Sequence, residues 1–167
     1  MMKPLINPTT AVGSSHELFI ASTPLRAAKG PPQFLLSAAY SLNVWDLQHF
    51  MLVIRSSSPP SLPPQVVVFD FQPKAPDDPF VAIAALSGRP VPGTILVRKM
   101  GNMPSRRCWR IGASIVDDPI REAYEFNRGW DTHLQICHHD CRHYTNGLAE
   151  VLTGEKCILD RLRGSTA

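Results

Sequence analysis

Long hydrophobic runs are missing from this 167-residue chain. Its apolar stretches, such as Val81–Leu86 and Met51–Ile54, fall far short of the roughly 20 residues that a membrane-spanning helix needs. No charge sign dominates either: 17 Lys and Arg against 14 Asp and Glu leave a formal charge of +3. Nor does any Lys/Arg cluster interleave with aromatic residues to follow a phosphate backbone, so nucleic acid is excluded as a partner. Cysteine is scarce, and Cys108, Cys137, Cys141 and Cys157 are too unevenly placed for a disulfide framework. The chain also lacks the apolar core of a secretory signal, a glycine-rich phosphate loop, a dinucleotide fingerprint and a Gly-x-Ser-x-Gly elbow. What is there, 44% apolar and 19% charged residues, predicts one soluble globular domain with a sizeable core.

Acids are nearly absent from the first 40 residues, where Glu17 stands alone against Lys3, Arg26 and Lys29 among scattered serines and threonines. Organelle transit segments share this acid-poor, hydroxyl-rich character. Residues 1–40 are therefore expected to be a flexible leader of the organelle-transit type, with Gly30-Pro31-Pro32 near the boundary. The domain proper is expected over 41–160, with 161–167 as a tail. The expected location is a chloroplast or other plastid, and the cytoplasm if the leader has no such role.

Proline punctuates the rest. Nine of the 16 prolines lie between Pro59 and Pro92, and none follows Pro119. Ser56–Pro64, with four prolines and four serines, must be a loop, since proline cannot donate to a sheet ladder. The apolar His49–Ile54 before it and Gln65–Gln72 after it read as strands of an antiparallel hairpin. Phe80–Leu86 fits a short helix or a strand, and Gly93–Arg98 and Cys108–Gly112 read as further strands. Asp117-Asp118-Pro119 starts a helix that runs to about Gly129, with Ile120, Ala123 and Tyr124 on one face and Arg121 four residues before Glu125. Cys141–Leu152 places Tyr144, Leu148, Val151 and Leu152 on one stripe, and Gly154 is its stop. The fold class is α+β, a small antiparallel sheet packed on helices.

Chemistry concentrates in Cys137–Tyr144, which holds two of the four cysteines and three of the six histidines. Asp140 suits the N-cap of the helix that follows, which puts Cys141 in the first turn. There the helix dipole and unpaired backbone N–H groups favour a thiolate and could hold an oxyanion. The base need not be near in sequence. His49 heads a strongly apolar strand where a histidine has no packing reason to be, and Asp70 in the next strand could orient its imidazole. Zinc is the alternative: Cys137, Cys141 and His143, with His138, His139, Cys108 or Cys157 as a fourth ligand. Its weakness is that Cys141 and His143, two apart on a helix, point to different sides. Otherwise Cys108, Cys137 and Cys157 are small packing residues and His138 and His139 solvated loop residues. The acid pairs Asp77-Asp78 and Asp117-Asp118 suit turns and helix starts. Arg106 and Arg107, with Arg98 and Lys99 nearby, form a basic patch, read as solvated or as a contact for an anionic substrate or acidic partner.

The order of these motifs matters. Gln48–Ile54, a second strand ending Val67-Val68-Phe69-Asp70, and later Asp140-Cys141-Arg142-His143-Tyr144-Thr145-Asn146 resemble the lecithin:retinol acyltransferase-like branch of the NlpC/P60 papain-like superfamily. The resemblance covers roughly residues 45–155 and implies a circularly permuted papain-like fold. It matches Cys141 to the nucleophile and His49 to the base. Asp70 stands where the family commonly has histidine. The function implied is thiol-dependent hydrolysis or acyl transfer on an amide, ester or thioester, with a small acyl compound, lipid or peptide as substrate and no cofactor. A non-catalytic interaction or assembly module with a protein partner is the alternative on the same fold.

Overall fold

A computed structural model describes residues 15–25, 30–42, 44–58, 61–105 and 107–165, so Arg106 lies outside the described residues. The fold is α+β, as expected. Strands β1 (His16–Pro24), β2 (Gln48–Ser56), β3 (Gln65–Pro73), β4 (Val91–Met100), β5 (Cys108–Ala113) and the two-residue β6 (His133–Leu134) form one sheet. Their spatial order is β5-β1-β2-β3-β4-β6, and every neighbouring pair is antiparallel. The helices are α1 (Pro31–Ser41), α2 (Pro79–Leu86), α3 (Pro119–Gly129), α4 (Cys141–Thr153) and α5 (Ile158–Ser165).

Alternation along the strands sorts the apolar residues onto two faces. Leu18, Ile20, Phe50, Leu52, Ile54, Val67, Phe69 and Phe71 meet Tyr144, Leu148 and Leu152 of α4 and Ile158, Leu159 and Leu162 of α5 in the main core. Ala21, Met51, Val53, Val66 and Val68 form a smaller cluster on the opposite face. His49, Asp70 and Arg98 belong to this second face by alternation and register, Arg98 pairing with Val68.

The expected leader boundary needs correction. His16–Pro24 is an interior strand paired to β2 and β5, with Leu18, Ile20 and Ala21 fully buried. Its run of Leu, Phe, Ile and Ala is a strand pattern that the acid-poor, hydroxyl-rich setting hides. Pro31 then opens α1, so the folded unit begins well before residue 41. At the other end α5 packs Leu162 into the core, so residues 161 and 162 are not a loose tail. Phe80–Leu86 resolves as helix, capped by Asp78. Asp118 caps α3, where Glu125 pairs with Arg128 at 2.6 Å.

One irregularity positions the site. The ladder between β2 and β3 runs from Ser56↔Gln65 to Leu52↔Phe69 and stops there. Beyond that point Gln48–Met51 stay paired to β1 and Asp70–Pro73 to β4. The two central strands thus separate at one end of the sheet, the end that carries His49 and Asp70. Nearby, Gly93 lets β4 close on its neighbours: a Cβ there would lie 2.7 Å from the Phe71 ring and 2.8 Å from the Thr132 carbonyl oxygen.

Candidate active site

α4 starts where the sequence places it, because Asp140 caps it in several ways at once. Asp140 Oδ1 accepts from the Arg142 N–H at 3.0 Å, and Oδ2 accepts from the Cys137 N–H at 2.8 Å. The Arg142 guanidinium donates to the same Oδ2 at 3.0 Å, and a reciprocal capping box links Asp140 and His143. Burial works against the charged Asp140 carboxylate, but the bonds from Arg142, Cys137 and His143 outweigh it and hold its pKa at about 2. The cap takes N–H groups of the first turn that an oxyanion would otherwise find, those of Arg142 and His143. Cys141's own N–H stays outside the cap.

Cys141 itself is buried and is the first residue of α4. His49 Nε2 lies 2.5 Å from Asp70 Oδ1, and Asp70 is nearly fully buried. Asp70 Oδ2 accepts from Arg98 Nη2 at 2.9 Å. The Cys141 thiol lies beside the same imidazole and interacts with it. With Asp70 on Nε2, Nδ1 is the nitrogen open to the thiol. Burial opposes a charged His49, yet the Cys141 thiol and the Asp70 carboxylate beside it together raise its pKa to about 10. The structure therefore brings together the three residues singled out from the sequence, Cys141, His49 and Asp70. They line one cavity of about 470 Å³. Much of its wall is apolar, including Leu36 from α1, Val81 and Ala85 from α2, Phe71, Leu134 and Ile136.

Other residues fall elsewhere than expected. Cys137 and Cys157 are exposed rather than packed, each in the left-handed region at φ 70° and 51°. Cys108 is half-buried, and burial pushes its thiol pKa up. His138 is exposed, but His139 stacks on Trp130 with centroids 4.4 Å apart and bonds the Asp131 carbonyl at 2.8 Å. It is a packing residue, held by an aromatic neighbour that periodicity does not reveal. His143 is partly exposed and belongs to the cap. The zinc alternative finds no support, since among the described residues no group of three or more His, Cys, Asp or Glu is placed to hold a metal.

The sequence assigns no role to three residues of the cavity wall, Gln48, Asp46 and Arg142, and does not link a fourth, Arg98, to Asp70. Gln48, buried beside His49, accepts from the Ser22 hydroxyl. Arg142 links Asp140 to Asp46, with Nη1 3.3 Å from Asp46 Oδ1. Arg98 reaches Asp70 rather than standing in a solvated patch. A buried glutamine next to the candidate base was a visible signal, whereas the two arginine contacts depend on tertiary register. Comparison of the chain with family models, with curated proteins and with solved structures finds no match in any of the three.

Proposed function

We propose that Cys141, His49 and Asp70 act as a catalytic set for thiol-dependent acyl transfer or hydrolysis of an amide, ester or thioester. The observation that carries this reading is one imidazole bonded to a buried carboxylate and set beside a thiol at a helix N-terminus, all three lining one cavity. The permuted papain-like resemblance of the motifs points the same way.

The chemistry runs through these atoms. Cys141 Sγ attacks the carbonyl carbon, forming a C–S bond, and the carbonyl electron pair moves to oxygen. The Cys141 N–H and the dipole of α4 favour that oxyanion. His49 delivers its proton to the leaving group as the C–X bond breaks, leaving an acyl-thioester on Cys141. Water or another acceptor then adds, His49 takes its proton, and Cys141 departs as thiolate. Asp70 holds the ring throughout and stabilises the imidazolium.

The test is labelling by an acyl electrophile. Read by peptide mass spectrometry, Cys141 is acylated ahead of the exposed Cys137 and Cys157, and Cys141→Ala removes that fast phase while circular dichroism shows the fold intact; a Cys141 no faster than Cys137 would refute the assignment. A second reading, a non-catalytic binding module, draws on the large apolar side chains that α1 and α2 leave exposed, Phe34, Leu35, Phe80 and Ile83 among them. An inert Cys141 in a folded wild-type chain favours that reading, as does import into plastids with a bound protein partner.

A further inference from the structure

The charged side chains that share the cavity wall with Cys141 are almost all committed to one another. Asp70 holds His49 and Arg98, while Asp140, Arg142 and Asp46 form a connected chain. Arg98 is the exception. Its Nη2 alone serves Asp70 at 2.9 Å and approaches Met51 Sδ at 3.7 Å. Nη1 and Nε make no hydrogen bond among the described residues, and the side chain is 45% exposed at the cavity wall. Neutralising Asp70 needs one nitrogen, and a guanidinium there brings further charged N–H donors, held in a fixed plane, that suit carboxylate or phosphate oxygens. The N-terminus of α4, opening on the same cavity, also favours negative charge. Much of the cavity wall, with Leu36, Phe71, Val81 and Leu134, is apolar, which strengthens any charge-assisted bond made there.

We propose that the cavity accepts acyl compounds bearing a carboxylate or phosphate, and that Arg98 anchors this oxyanion through the Nη1 N–H groups while Nη2 keeps Asp70 in place. The proposal rests on Cys141 and His49 being the reactive pair. It makes Arg98 a specificity-determining residue.

Two alkylating probes of nearly equal size separate the terms. Iodoacetate carries a carboxylate and iodoacetamide does not, and each forms an S–C bond with the Cys141 thiolate as iodide leaves. Rates at Cys141 are read by peptide mass spectrometry on the full chain. The ratio of the iodoacetate to the iodoacetamide rate cancels any effect of the substitution on the Cys141–His49 pair, which shares its cavity with Asp46, Asp70, Arg98, Asp140 and Arg142. In Arg98→Gln this ratio falls about tenfold, the size of one lost charge-assisted bond, and in Arg98→Lys most of it returns. On the wild-type chain, phenylacetate protects Cys141 from iodoacetamide and 2-phenylacetamide does not, a measurement independent of how either variant folds.

An unchanged ratio in folded Arg98→Gln, or equal protection by the two phenyl compounds, overturns the anion site. The catalytic reading survives that result if iodoacetamide still labels Cys141 ahead of Cys137 and His49→Gln removes the advantage. If Cys141 reacts no faster than Cys137 and His49→Gln changes nothing, both fail.

Discussion

His49 owes its proton to its neighbours, and that debt reaches folding as well as chemistry. In the folded chain its pKa sits at about 10, above the ordinary 6.5. A raised folded value contributes stability that is complete below about pH 6.5 and is lost as pH climbs through about 10. The urea midpoint of the wild type should therefore fall across that window, and His49→Gln should show a flatter profile there. Asp140 has the opposite sign. Its value near 2 lies below the ordinary 3.8, so its contribution is present above pH 3.8 and disappears as pH falls towards 2. The residues of this set were legible because each breaks a local rule: a histidine opening an apolar strand, a carboxylate inside another, a cysteine directly after a capping acid. Arg98 breaks none. Its role depends on the β3–β4 register that sets it opposite Val68 and within reach of Asp70, and no local pattern encodes that distance.

At the scale of elements, α4 is the piece on which the site depends. Its stripe of Tyr144, Leu148 and Leu152 is fully buried, and Gly154 ends it in the left-handed conformation at φ 75°. Both features could be read from spacing alone. The Asp140 cap has two tasks, starting the helix and presenting Cys141. Asp140→Ala should lower stability by about 1–2 kcal/mol in denaturant titrations, as lost N-caps do, and slow alkylation of Cys141 as well. Asp140→Asn, which keeps an acceptor for the N–H of Arg142, should recover much of the stability. β2, β3, β4 and β5 were legible too, through β-branched and aromatic runs bounded by proline. β1 was not. Composition over a wide window suggested a leader, whereas the nine residues His16–Pro24 needed a narrow window in which burial decides.

For the molecule as a whole, what the sequence withheld is order in space. β4 and β5 are consecutive strands, yet they lie at opposite sides of the sheet, because β5 pairs with β1 and β4 with β3. Pairings so distant along the chain leave no periodic trace. They do constrain truncation. A chain starting at Ser15 keeps every described strand and should show the circular dichroism and cooperative unfolding of the full chain. One starting at Gly30 loses the strand that joins β2 to β5 and should expose apolar surface, read as dye binding and a lost unfolding transition. Any import signal that is cleaved must therefore end before His16.

The same strand sets a timetable. Among the described strands β1 leaves the ribosome first, and its second neighbour, β5, is the last but one to appear. At ordinary rates of synthesis, one edge of Leu18-Phe19-Ile20-Ala21 waits unpaired for roughly 5–20 s. That edge is closed only by the emergence of Cys108–Ala113, so a ribosome stalled before residue 108 should leave Leu18–Ala21 open to proteolysis.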